Sequence, residues 1–87
     1  MANVVIYTRM TCGFCVRAKS LLQHKQVEFD EISIDLQPEK RAEMIQRSNG
    51  GMTVPQIFIN NNAIGGCDEL MALEYSKQLD TLLSAQA

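Results

Sequence analysis

At 87 residues, with 46% hydrophobic and 21% charged residues and a formal net charge of −2, the chain is sized for one domain spanning residues 1–87, with no room for a separate substrate domain. A sequence pI near 5.2 argues against nucleic-acid binding, which calls for a basic surface. Met1-Ala2-Asn3 supplies no basic region ahead of the first apolar run, and that run is too short for a signal core or a membrane span, so a cytoplasmic chain with no membrane partner is expected.

The pattern begins with Val4-Val5-Ile6-Tyr7, a β-branched run that predicts a doubly buried strand over about Asn3 to Thr8. From Phe14, the residues Cys15, Ala18, Leu21 and Leu22 recur at helical spacing and predict an amphipathic helix ending near Lys25. Val27 and Phe29 alternate with acidic residues, and Ile32 and Ile34 resume the alternation out of phase, which predicts a second strand with a bulge or a late start. Pro38 suits the first position of a second helix, over about Pro38 to Ser48, that stops at Asn49-Gly50-Gly51. Gln56 to Asn60, the Asn60-Asn61-Asn62 turn and Ala63-Ile64 predict a β-hairpin. Gly65-Gly66 then breaks the strand, Asp68 is placed to cap a third helix containing Leu70, Met71, Leu73 and Tyr75, and Leu79, Leu82 and Leu83 extend it or form a last short helix. The order implies an α/β fold: a right-handed βαβ unit whose parallel pair gains an antiparallel hairpin, giving a four-stranded mixed sheet flanked by helices.

Cys12-Gly13-Phe14-Cys15 lies where the first strand hands over to the first helix. Two thiols at this spacing read as redox chemistry. Unpaired N–H groups and the positive dipole end at the helix start would stabilise a Cys12 thiolate, and Cys15 shares that face of the first turn and can close a disulfide. Three cysteines do not suit a stapled secreted scaffold, and a zinc site through Cys12, Cys15, Cys67 and His24 lacks a second ligand pair at the usual spacing. His24 reads as a favourable charge at the helix C-terminus, and Tyr7 as a core aromatic.

Ile6-Tyr7-Thr8, Cys12-x-x-Cys15, Thr53-Val54-Pro55-Gln56-Ile57-Phe58-Ile59 and Ile64-Gly65-Gly66-Cys67-Asp68 together span most of the chain. In this order they resemble the glutaredoxin family, in particular its small bacterial dithiol members. The resemblance implies a thioredoxin-like fold and a glutathione-dependent thiol–disulfide oxidoreductase, with Cys12 as nucleophile and Cys15 as resolving thiol. It implies glutathione contacts from Arg9, Phe14, Arg41, Thr53, Val54, Pro55, Gly66, the Cys67 backbone and the Asp68 carboxylate. Val54-Pro55 is then a cis peptide, with the Val54 backbone pairing to glutathione as an added strand. Implied partners are glutathione and glutathionylated or disulfide-containing proteins, with ribonucleotide reductase a candidate, and the implied state is a monomer.

Two departures stand out. Asn49-Gly50-Gly51-Met52 is one residue longer than the family's usual spacer, which bears on the register of Arg41, and the motif's usual Pro-Tyr pair is replaced by Gly13-Phe14. Glycine loosens the turn that proline would pre-set. Gly13-Phe14 also resembles the Cys-Gly-Phe-Ser site of monothiol glutaredoxins. That raises an alternative: a homodimeric carrier or sensor in which Cys12 of each chain and two glutathiones ligate a [2Fe–2S] cluster. Those relatives carry extra residues just before the site, and Thr8-Arg9-Met10-Thr11 does not.

Overall fold

The computed structural model describes residues 2–85. Strand β1 (Val4–Thr8) is followed by α1 (Gly13–His24), β2 (Asp30–Ser33), α2 (Lys40–Arg47), β3 (Gln56–Ile59), β4 (Asn62–Gly65), α3 (Cys67–Tyr75) and α4 (Leu79–Ser84). The sheet order is β2-β1-β3-β4, with β1 and β2 parallel and the other pairs antiparallel. This is the four-stranded mixed sheet that the element order implied, and it has the thioredoxin-like arrangement that the family resemblance implied.

The central strands are buried on both faces, so alternate side chains feed two cores. Val4 and Ile6 of β1, with Ile57 and Ile59 of β3, pack against Ala18 and Leu22 of α1, Leu70 of α3, and Leu79 and Leu83 of α4. Tyr7 and Phe58 turn the other way and meet Met44 of α2 and Ile34. Their rings sit edge to face at 5.6 Å, a geometry that the ring quadrupoles favour. The Tyr7 hydroxyl reaches Glu43 and accepts from Arg47 (2.8 Å), while the Arg47 guanidinium lies over the Phe58 ring at 4.3 Å. These contacts tie α2 to the sheet and make Tyr7 the core residue that its position suggested.

Several boundaries differ from expectation for identifiable reasons. The second strand starts late, at Asp30, with Val27 and Phe29 packed on the core ahead of it. Helix α2 begins at Lys40 because the turn at Pro38-Glu39 is closed by shorter-range bonds, Lys40 N–H to Gln37 O and Arg41 N–H to Pro38 O. It ends with Asn49 in the left-handed region (φ 58°), which brings Gly50 N–H to Ile45 O at 2.8 Å. The hairpin turn uses Asn60 and Asn61, both at positive φ, so Asn62 belongs to β4. Asp68 is not the cap of α3: extended Gly66 holds that position, and the Glu69 carboxylate reaches back to accept from Gly66 N–H at 2.6 Å. No described helix is long and apolar enough to cross a membrane.

Candidate active site

Beyond β1 the chain is held by Asp35, which follows β2: its carboxylate accepts from Met10 N–H (2.9 Å) and faces Arg9 Nε at 3.8 Å. That anchor sets the approach to Cys12. Cys12 is itself the N-cap of α1, with extended backbone (φ −140°, ψ 107°), and its sulfur accepts from Cys15 N–H at 3.1 Å. A capping serine would accept from the same backbone position; here the cap is a thiol, and no acidic residue occupies the first turn of α1.

The two thiols occupy different surroundings. Cys12 is half-buried and faces Val54 O, with the sulfur at 3.8 Å. Cys15 is 1% exposed, and burial, together with its hydrogen bond to Cys12, pushes its thiol up to about 12. A half-buried sulfur at a helix start next to a fully buried, protonated one is an arrangement suited to dithiol exchange.

The Val54-Pro55 peptide is cis. Thr53, Val54 and Pro55 form one wall of an open groove of about 400 Å³ whose other lining residues are Phe14, Gly66, Cys67, Asp68 and Glu69. Phe14 is 60% exposed, leaving an apolar ring two residues from Cys12. Cys67 is buried, and desolvation pushes its thiol up, so it is held in the protonated form. Asp68 and Glu69 place two carboxylates in the first turn of α3.

Of the residues marked out in the sequence, the fold therefore gathers Phe14, Thr53, Val54, Pro55, Gly66, Cys67 and Asp68 around this groove, with Cys12 touching it through Val54. Arg9 instead lines a separate cleft of about 450 Å³ with Thr8, Met10, Lys19 and Glu31. Arg41 lies exposed on α2 and lines neither cleft. His24 sits at the far end of α1, about 13 Å along the helix from Cys15 by the rise per residue. Two contributors lie outside the residues marked out in the sequence: Glu69, legible from its capping-box spacing to Gly66, and Gln56, whose only sequence signal is a polar side chain inside an apolar strand.

Fold and site together define a thioredoxin-like dithiol oxidoreductase. A glutaredoxin family model matches residues 4–64. The chain is 58% identical over 83 residues to glutaredoxin 3 of Escherichia coli K12, covering 95% of this chain and 99% of that one. It is 54% identical over 85 residues to a glutaredoxin of Pseudomonas aeruginosa, covering 98% of this chain and 100% of the other. Among solved structures it resembles a buckwheat glutaredoxin–glutathione complex with a TM-score of 0.87 at 29% identity, covering 95% of this chain and 77% of that one. The chain belongs to the glutaredoxin family and is a glutaredoxin-type thiol oxidoreductase.

Proposed function

We propose that the protein uses glutathione to reduce glutathione mixed disulfides and protein disulfides, with Cys12 as nucleophile and Cys15 as resolving thiol. The observation that carries this reading is the pairing of an accessible N-cap sulfur with a groove whose wall includes Val54 and cis Pro55. The buckwheat relative, solved as a glutathione complex, adds support for glutathione as the groove's ligand.

In the monothiol branch, Cys12 thiolate attacks the glutathione sulfur of a glutathionylated protein. The old S–S bond breaks, the substrate leaves as a thiolate and takes up a proton, and Cys12 is left joined to glutathione. A second glutathione thiolate attacks that adduct, giving glutathione disulfide and restoring Cys12. In the dithiol branch, Cys12 forms a mixed disulfide with one substrate sulfur. Cys15 then gives up its proton and attacks Cys12, and the substrate departs with both sulfurs reduced. Two glutathiones reduce the resulting Cys12–Cys15 disulfide and leave as glutathione disulfide. Once Cys12 is in a disulfide it carries no charge and presents no thiol to Cys15, so part of what holds the Cys15 proton is released at the step that needs its thiolate.

For the ligand, Val54 offers its backbone as to an added strand, Phe14 and Pro55 offer apolar surface, and the Gly66–Asp68 turn takes the γ-glutamyl end, with Asp68 accepting from its ammonium. Arg9 and Arg41 are proposed to meet carboxylates of glutathione, Arg9 by leaving Asp35. The protein works as a cytoplasmic monomer on disulfide-bearing proteins, ribonucleotide reductase among the candidates. Turnover of a glutathionylated peptide, coupled to glutathione reductase, tests the assignment. Cys12→Ser should abolish it; Cys15→Ser should keep deglutathionylation and lose protein-disulfide reduction. Turnover by Cys12→Ser would refute the reading.

A second reading, the glutathione-ligated [2Fe–2S] homodimer, is favoured by one observation: apart from its chain neighbours and its own helix backbone, nothing lies within 4 Å of where a Cβ on Gly13 would stand, so no other part of the chain crowds the position after Cys12. A coloured, dimeric sample after anaerobic purification with glutathione would support it; a colourless monomer would end it.

A further inference from the structure

Gln56 is the first residue of β3, pairs with Tyr7 across the sheet, and is only 6% exposed. The alternation of the strand turns it to the same face as Phe58, where the surrounding core is apolar. A buried amide there requires partners. Its Nε2 donates to Thr53 O at 2.9 Å, and because a carbonyl can only accept, this bond also fixes which end of the amide faces the loop. The same nitrogen abuts the other limb of the loop. A methyl group on Gly51 would stand 2.8 Å from Gln56 Nε2 and 2.7 Å from Ser48 Oγ, so glycine allows the backbone to close on both. Ser48 Oγ completes the fastening, accepting from Gly51 N–H at 2.9 Å and donating to Met44 O at 2.7 Å. The longer Asn49–Met52 loop is thus secured from below by one serine and one glutamine.

The consequence follows from peptide geometry. Thr53 C=O and Val54 N–H belong to one peptide plane, and in a trans peptide they point in opposite directions. Holding Thr53 O against Gln56 therefore turns Val54 N–H away from the protein interior. We infer that Gln56 is a positioning residue for the reaction: through Thr53 O it sets the orientation in which Val54 presents its N–H to the ligand in the groove. Its effect on catalysis rests on the proposed use of glutathione; its effect on the peptide does not.

The test has two arms. Gln56→Met keeps the side-chain length and removes the donor. In ¹⁵N-labelled protein without ligand, the Thr53 and Val54 amides should be single and sharp in the wild type, and doubled or broadened in Gln56→Met, with other β3 amides little changed. In turnover of a glutathionylated peptide, KM should rise about three- to tenfold, the range for losing one buried hydrogen bond, with kcat within about twofold and the Cys12 alkylation rate unchanged. Gly51→Ala, which presses on the same amide from the other side with Gln56 intact, should reproduce both effects and stands in if Gln56→Met fails to fold. Unchanged Thr53 and Val54 amides in a folded variant would overturn the inference whatever the enzyme does. A KM that stays put, or a kcat that falls in step with slower Cys12 alkylation, would overturn its catalytic half. A wild-type protein with no glutathione turnover would count against the functional reading alone, since the amide arm judges the positioning independently.

Discussion

In the reduced protein at pH 7, iodoacetamide should label Cys12 while Cys15, three residues away on the same helical turn, stays largely unmodified. With its thiol pushed up to about 12 from an ordinary 9.0, Cys15 is ionised to about 1 part in 10⁵ at pH 7, against about 1 in 10² for the ordinary thiol, a thousandfold deficit. A more basic thiolate is a better nucleophile, and a Brønsted slope of about 0.4–0.5 returns about 15- to 30-fold of that deficit. The net penalty from ionisation is about 30- to 60-fold, before the 1% exposure of the side chain restricts access further. Timed quenching followed by peptide mass spectrometry measures both rates in one sample. In Cys12→Ser, Cys15 should react faster than in the wild type, because the neighbouring sulfur that helps hold its proton is gone. It should still react more slowly than an exposed thiol, because burial is the largest cause. Labelling of Cys15 within about threefold of Cys12 in the wild type would refute this account of the two sites.

Because Cys15 ionises at higher pH folded than unfolded, the unfolded chain loses that proton first. Urea-measured stability should therefore fall as pH rises above about 9 toward about 12, and Cys15→Ala should flatten that fall. At the acid end, the hydrogen bond from Thr8 Oγ1 (2.7 Å), aided by Lys19 Nζ (3.0 Å), lowers Glu31 below the usual 4.5. This contribution is present above that value and lost as pH drops through the lowered one, so Glu31→Gln should remove part of the acid loss of stability in a pH series of melts. Tyr7→Phe leaves the Phe58 contact in place but removes the hydroxyl shared by Glu43 and Arg47. Calorimetry should show a loss of about 1 kcal/mol, or about 4–8 °C in Tm for a chain of this size, and an unchanged Tm would mean that the hydroxyl contributes nothing net.

The fold was legible because its determinants are local and periodic: the β-branched Val4–Ile6 run, the helical spacing of Cys15, Ala18 and Leu22, and the paired asparagines of the hairpin. Boundaries were less so where two local signals compete. Asp68 has the better capping side chain, yet the turn after Gly65 (φ 112°) places Gly66 at the cap and makes Glu69 its partner. Pro38 suits a first helical position, yet a tighter turn delays α2 to Lys40. Most of the groove could be read from motifs, since Thr53–Pro55 and Gly66–Asp68 each arrive as contiguous segments. The tertiary partners could not. Arg9 beside Asp35, and Gln56 beneath Thr53 and Gly51, depend on how strands and loops stack, and a polar residue in an apolar strand shows only that a partner must exist.

The Cys12 sulfur is the atom on which exchange with glutathione is proposed to turn. Incubating reduced Cys15→Ser with glutathione disulfide and reading intact and peptide masses should show one glutathione per chain, mapped to Cys12, with one glutathione released for each attached. An unmodified chain, or an adduct on Cys67 in place of Cys12, would contradict it.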